Sequence, residues 1–125
     1  MVKPLVAIVD DDPSVRKALA RLLTAAHFEV DCFPSAQDFL ATGLARAPAC
    51  LILDIHLGGM SGFELQEHLA ASGAGVPAIF ITAHDDAATR ARACQVGAAG
   101  YLRKPFDQHA LLQAIYQAMG WEPLP

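Results

Sequence analysis

Four aspartates and one lysine of this chain each follow a short apolar run, where a buried strand would end: Asp10, Asp11, Asp12, Asp54 and Lys104. The ends of parallel strands are where open α/β sheets build their sites. Carboxylates that meet there repel one another, and a hard dication such as Mg2+ relieves the repulsion. A carboxylate can also attack phosphorus, while a lysine neutralises a phosphate oxygen. These residue types therefore predict a site for a divalent cation and a phosphoryl group.

Not every one of these aspartates is expected to serve the site. Asp12 precedes Pro13, a pair typical of a helix N-cap followed by proline in the first turn. Asp10, Asp11 and Asp54 are expected to converge at the edge of the sheet. Their carboxylates would bind Mg2+, with Mn2+ as an alternative ion, and would bind it better together with a phosphoryl group.

The composition indicates one folded domain. The chain has 125 residues, of which 54% are hydrophobic and 18% charged, so it can bury a core. We expect a single domain over 1–125, with its core over about 4–119 and a loose tail over 120–125. The formal charge of −4 argues against direct electrostatic binding of nucleic acid.

Cysteine usage and the first apolar run bear on the location of the chain. The run is too short for a signal or membrane segment and stops at three aspartates. Cys32, Cys50 and Cys94 lack the spacing of a metal site, and their number is odd. We expect them to be reduced and mostly buried, and the chain to be cytoplasmic, without contact to a membrane.

Short apolar runs alternate with amphipathic stretches, which predicts repeated β-α units and a parallel sheet. The predicted strands are Leu5–Val9, Phe28–Cys32, Cys50–Leu53, Val76–Ile81 and Tyr101–Leu102. Helices are predicted from Asp12 to about Ala26, from Ser35 to near Gly43, over about Gly62–Ala71, from Asp85 or Asp86, and from Asp107. The fourth helix turns mainly alanines inward, so we expect it to be weakly anchored and able to shift.

Four motifs then establish a family resemblance by their order and spacing: Ile8–Asp12, Leu53-Asp54 with Met60–Gly62, Ile81–Ala83 and Lys104–Phe106. Together they resemble the receiver domain of two-component response regulators over about residues 4–119. The match is closest to receivers of the nitrogen-fixation and nitrate-regulator type, which precede helix-turn-helix outputs. The resemblance implies a doubly wound, flavodoxin-like α/β fold. Its five parallel strands would have the order 2-1-3-4-5, with five helices around them.

The resemblance implies a role for each acidic residue of the motifs. Asp54 would be the phosphoacceptor. Asp10 and Asp11 would be the acidic pair that binds Mg2+ together with Asp54. The backbone carbonyl of His56 would be a further ligand.

The remaining motif residues would act on the phosphoryl group. Thr82 ends an apolar run and would offer its hydroxyl to one oxygen, and Lys104 would contact another. The Lys104-Pro105 peptide is expected to be cis. Tyr101 would be an aromatic switch that turns inward when Thr82 moves; the alternative is that it is a half-buried strand aromatic.

These roles describe a signalling domain rather than an enzyme, with weak intrinsic phosphotransfer and autodephosphorylation. A sensor histidine kinase would donate the phosphoryl group, and helix 4, strand 5 and helix 5, about Asp86–Met119, would shift. The altered face would control an output domain, with transcription regulation as its purpose, or a downstream protein. It could also bind a second copy of the chain in a phosphorylation-dependent homodimer.

Two other functions are also compatible with the sequence. Asp10–Ser14 loosely mimics the start of a haloacid-dehalogenase-type phosphatase, in which Asp10 would be the nucleophile. The chain could also be a receiver-like module that binds proteins without phosphorylation. His56 and His84 follow Asp54 and Thr82 by two residues each, and two histidines are not the commonest pair at these positions in the family. They are either plain exposed loop residues or groups that tune the phosphoryl lifetime with pH.

Overall fold

A computed structural model describes residues 3–120, so the predicted tail lies, apart from Gly120, outside the described residues. The strands are β1 (Leu5–Val9), β2 (Glu29–Phe33), β3 (Cys50–Asp54), β4 (Ala78–Thr82) and β5 (Gly100–Arg103). The helices are α1 (Pro13–Ala25), α2 (Ala36–Thr42), α3 (Gly62–Ala71), α4 (Ala87–Gln95) and α5 (Gln108–Ala118). A short 3-10 helix, Gly43–Arg46, follows α2 and was not predicted.

The five strands form one parallel sheet in the order β2-β1-β3-β4-β5, which confirms the predicted fold class. In the register of the sheet Val9 pairs with Leu53, and Asp54 pairs with Ile81. Because all strands are parallel, their carboxyl ends meet at one edge. The loops after β1, β3, β4 and β5 therefore share that edge.

The sheet is covered on both faces, and the strand sequences show why. Every residue of β1, β3 and β4 is buried, as expected for apolar runs at the centre of a parallel sheet. Alternate residues enter two separate cores. Val9, Leu53 and Phe80 belong to one, and Ile8 and Ile52 belong to the other. This two-sided packing holds the ends of the central strands in place.

Helix caps set the directions in which the chain leaves the sheet edge. The Asp12 carboxylate accepts a hydrogen bond from the Ser14 amide at 2.8 Å, which confirms its predicted capping role. Asp86 is the cap of α4, because its carboxylate accepts from the Thr89 amide at 2.7 Å. Asp85, the other predicted cap, has a different set of partners described below.

Predictions for the cysteines and for two strand starts need correction; β4 begins at Ala78, two residues later than the predicted Val76. The cysteines are not mostly buried: Cys50 is, but Cys32 and Cys94 are exposed. Cys32 lies on the edge strand β2, and Cys94 lies on α4, of which only Ala93 is buried. Strand β2 also begins one residue later than predicted. The turn before it extends through His27, whose φ of 70° is incompatible with both helix and strand.

Helix α4 packs thinly, in agreement with the prediction from its alanines. The side chain of one arginine supplies part of the contact between α4 and α3. Arg92 donates to Glu67 at 3.1 Å, and its guanidinium lies 5.1 Å from the centre of the Phe63 ring. None of the helices within residues 3–120 has the length and apolar character that a membrane crossing requires.

Gly62 begins α3 at a point where no side chain fits. A Cβ atom there would lie 2.5 Å from the backbone oxygen of Asp54 and 3.2 Å from the Cα of Ile55. These are backbone atoms, so the strand end itself would have to move. The glycine thus lets α3 start directly against the residue that ends β3.

We predict that Gly62→Ala lowers the free energy of unfolding by about 1–3 kcal/mol, because overpacking forces the backbone at Asp54 to shift. Denaturant unfolding measures this loss. Gly58→Ala is the matched control in the same loop, since a Cβ there meets nothing within 4 Å. Equal stability of the two variants would contradict the proposed close approach.

Candidate phosphoryl and metal site

Three carboxylates converge at the carboxyl edge of the sheet, as the sequence predicted. Oxygens of Asp10, Asp11 and Asp54 all lie within 4.8 Å of one another. Asp10 is fully buried, Asp54 is 6% exposed, and Asp11 is exposed. Two of the three carboxylates therefore lie inside the protein and the third lies at its surface. We call these three residues and the adjacent Lys104 the acidic cleft.

Local hydrogen bonds fix the orientation of the two buried carboxylates. Asp10 Oδ1 accepts from the Asp12 amide at 2.9 Å, and Asp54 Oδ1 accepts from the His56 amide at 3.1 Å. Arg16 of α1 donates to the backbone carbonyl of Asp10 at 2.6 Å. Sequence reasoning missed Arg16; the only available signal was its place one helical turn after the Asp12 cap.

Lys104 lies between the two buried carboxylates. Its Nζ atom donates to Asp10 Oδ2 at 3.1 Å and to Asp54 Oδ2 at 3.3 Å. The backbone of Lys104 is fixed by its amide, which donates to the Thr82 carbonyl at 2.7 Å. The peptide between Lys104 and Pro105 is cis, as predicted.

The charges in the cleft are not balanced. Burial, and then the charge of Asp10, raise the pKa of Asp54 above its ordinary value, although Lys104 opposes them. Burial acts to lower the pKa of Lys104, but the charges of Asp54 and Asp10 outweigh it and raise that pKa. The ionised Asp54 is thus held at a net cost that an added cation would relieve.

The donor set fits Mg2+. Three carboxylates face a single ammonium, and hard oxygen ligands with room for water and phosphate are what Mg2+ prefers. The backbone carbonyl of His56 stays a predicted ligand.

Thr82 ends β4 and is fully buried. Its hydroxyl accepts from the His84 amide at 2.9 Å and lies 3.3 Å from the His84 carbonyl, to which it can donate. The residue is therefore bound to its own loop. To donate to a phosphoryl oxygen, its hydroxyl would have to give up the contact to the His84 carbonyl.

Tyr101 is half-buried, and its hydroxyl points to the loop before α4. It donates to Asp85 Oδ1 at 3.1 Å. Sequence reasoning did not assign a partner to Tyr101, since the two residues lie 16 positions apart. His56 and His84, both exposed, approach each other across the loops after β3 and β4 with ring centres 5.2 Å apart.

Taken together, the doubly wound sheet and the acidic cleft with its lysine define a phosphoryl-binding α/β signalling domain. Residues 6–116 match the response regulator receiver domain, and the chain belongs to this family. It is the receiver domain of a response regulator.

Relatives and a solved structure agree with this assignment. Nodulation protein W of Bradyrhizobium diazoefficiens is 39% identical over 116 residues, covering 93% of this chain and 51% of that protein. The transcriptional regulatory protein FixJ of Azorhizobium caulinodans is 37% identical, covering 92% of this chain and 54% of that protein. The structure of FixJ-N is similar with a TM-score of 0.85 at 35% identity over 100% of both chains. The chain thus spans about half the length of the curated relatives it matches.

We predict that Asp54→Asn stabilises the fold at neutral pH. The raised pKa of Asp54 means that its ionised form costs stability. This cost is absent at a pH below the unfolded pKa, grows as the pH rises towards the folded pKa, and is constant above it. The melting temperature of the variant should therefore exceed that of the wild type at neutral pH and approach it in acid.

Mg2+ provides the control. A metal at tenfold excess over its dissociation constant should stabilise the wild type by about 1.4 kcal/mol, and the variant by less. Equal melting temperatures without Mg2+, or equal stabilisation with it, would contradict the electrostatic account of the cleft.

Proposed function

We propose that Asp54 is the phosphoacceptor of this receiver domain and takes its phosphoryl group from the phosphohistidine of a sensor histidine kinase. One observation carries the proposal: Asp54 shares a cleft with two further carboxylates and a lysine. Asp54 is also the less deeply buried of the two carboxylates that Lys104 contacts. Receiver domains of response regulators interact with histidine kinases and with output domains.

In the transfer step an Asp54 carboxylate oxygen forms a bond to phosphorus. The bond between phosphorus and the donor imidazole nitrogen breaks, and the imidazole leaves with the electron pair. The Lys104 ammonium, which lies 3.3 Å from Asp54 Oδ2, moves a short way to contact an oxygen of the transferred phosphoryl group. Asp10, Asp11, Asp54 and the His56 carbonyl would hold Mg2+. When bound, this ion neutralises charge on the phosphoryl oxygens.

Thr82 and Tyr101 carry the signal away from the site. The Thr82 hydroxyl exchanges the hydrogen bond that it donates to the His84 carbonyl for one that it donates to a phosphoryl oxygen, and Tyr101 turns into the space that this opens. Helix α4 is held by little buried surface, so it shifts with β5 and α5. The α4-β5-α5 face is then recognised by an output domain, a downstream protein or a second copy of the chain.

The output proposed is control of transcription. FixJ, which this chain resembles over about half of its length, is a transcriptional regulatory protein. The receiver would regulate such an output from the cytoplasm. Its own chemistry would be limited to slow transfer from small phosphodonors and slow autodephosphorylation.

The two alternatives have weaker support. A phosphatase with Asp10 as nucleophile would need that carboxylate to be open, but it is fully buried and bound by Lys104. A module that is never phosphorylated would have no use for the lysine and three carboxylates that meet in the cleft.

Intact mass spectrometry tests the proposal. With acetyl phosphate and Mg2+ we expect the wild type to gain one phosphoryl group, and Asp54→Asn to gain none. Borohydride reduction of the acyl phosphate followed by peptide mapping then identifies the modified residue. Modification at Asp10 would favour the phosphatase, and the absence of any gain with donor kinase and Mg2+ would favour the binding module.

We predict that His56→Ala with His84→Ala shortens the phosphoryl lifetime several-fold. The two rings meet across the loops that follow Asp54 and Thr82, so their removal opens the site to water. Loss of phosphoprotein over time, followed across the neutral pH range, measures this. His109→Ala is the matched control, because this histidine is exposed on α5. An unchanged rate and pH profile in the double variant would refute the tuning role.

A further inference from the structure

Asp85, the residue before the α4 cap, has a contact set that none of the receiver motifs describes. Its Oδ1 and Oδ2 atoms accept from Nε and Nη2 of Arg90, both at 2.6 Å. The same Oδ1 accepts from the Tyr101 hydroxyl at 3.1 Å. The Arg90 guanidinium carbon lies 5.9 Å from the centre of the Tyr101 ring. We call Asp85, Arg90 and Tyr101 the tyrosine latch.

The contacts of the tyrosine latch orient its side chains more than they stabilise the fold. The Asp85 side chain is 9% exposed, whereas that of Arg90 is 65% exposed, and an ion pair with one partner in solvent adds little to folding. A two-bond contact between guanidinium and carboxylate does fix geometry. Arg90 therefore aims the Asp85 carboxylate at Tyr101.

The protonation states suit this arrangement. Hydrogen bonds from Arg90, and secondarily from Tyr101, hold the pKa of Asp85 below its ordinary value. Burial and then the bond to Asp85 raise the pKa of Tyr101. The carboxylate thus stays an acceptor and the phenol stays a donor throughout the neutral range.

The tyrosine latch is connected to the phosphoryl site through the loop that follows β4. Thr82 binds the His84 amide at 2.9 Å, and Asp85 is the next residue of the same loop. When Thr82 leaves His84 for a phosphoryl group, the loop is released and Asp85 can move away from Tyr101. Conversely, an intact latch holds the loop in the arrangement that keeps Thr82 away from the site.

We propose that Asp85, aimed by Arg90, is a positioning residue that holds Tyr101 in its half-buried resting position and so weakens binding of a phosphoryl group at Asp54. This inference rests on the proposed function, because it sets the threshold of that same switch. A contact made only in the resting state lowers the affinity for any ligand that requires the other state. Breaking the latch should then tighten binding of the phosphoryl group.

The experiment titrates beryllofluoride, a phosphoryl mimic, in saturating Mg2+. Asp85→Ala should lower the concentration for half-saturation by about 3- to 10-fold, within the usual range of coupling between sites. Arg90→Ala should act in the same direction and less strongly. Arg92→Ala is the matched control, since it removes an arginine of the same helix, 51% exposed and paired with Glu67.

A double-mutant cycle separates the latch from a general loosening of α4. Tyr101→Phe removes only the hydroxyl that Asp85 binds. In that background Asp85→Ala should have no further effect on beryllofluoride binding, whereas a structural role for Asp85 would add to it. Fluorine NMR of the fluorotyrosine-labelled chain gives a second readout without any ligand. Asp85→Ala should shift the Tyr101 signal towards its position in the beryllofluoride complex, with Tyr116 as internal reference.

The outcomes are distinguishable. If Asp85→Ala and Arg90→Ala bind the mimic like Arg92→Ala, or more weakly than the wild type, the latch is wrong and the proposed function stands. If the folded wild type does not bind the mimic at all, the proposed function fails and the latch fails with it. A loss of the folded state in Asp85→Ala, seen by circular dichroism, would assign Asp85 a structural role instead.

Discussion

The structure depends on holding two carboxylates side by side where water barely reaches them. Asp10 is fully buried and Asp54 nearly so, and each would repel the other without the lysine between them. Lys104 compensates only in part, as the raised pKa of Asp54 shows. The resting cleft is therefore an incomplete site. A bound cation would lower the electrostatic cost that folding has already incurred.

The well-packed sheet keeps these charged side chains in place despite their repulsion. Asp10 and Asp54 follow or end central strands that are buried along their whole length, while Lys104 arrives from the edge strand β5. Gly62 lies so close to the end of β3 that a side chain there would force the backbone at Asp54 to move. Helix α4, of which Ala93 is the one buried residue, packs much more thinly. The two buried carboxylates thus lie in the well-packed part of the fold.

Residue patterns predicted most of the scaffold and the acidic cleft. Apolar runs ending in aspartate mark both buried strands and the edge where they end, so one signal predicted Asp10 and Asp54 together. The switch role of Tyr101 came from the family resemblance instead. The contact of Asp85 with Tyr101 was out of reach, because it joins residues 16 positions apart through side-chain rotamers. The exposure of Cys32 and Cys94 could not be predicted either, because it depends on which strand lies at the edge of the sheet and which helix is thinly packed.

The loop from Thr82 to Asp86 has a consequence for how such a domain diverges. Its first residue, Thr82, is buried and its carbonyl accepts from the Lys104 amide, while Asp85 bonds to an arginine that is 65% exposed. If Asp85 sets the threshold of the switch as proposed, exchanges at the solvent end of this loop would change that threshold and leave the carboxylates and the lysine unchanged. Domains with the same acidic cleft would then differ in their sensitivity to a phosphodonor.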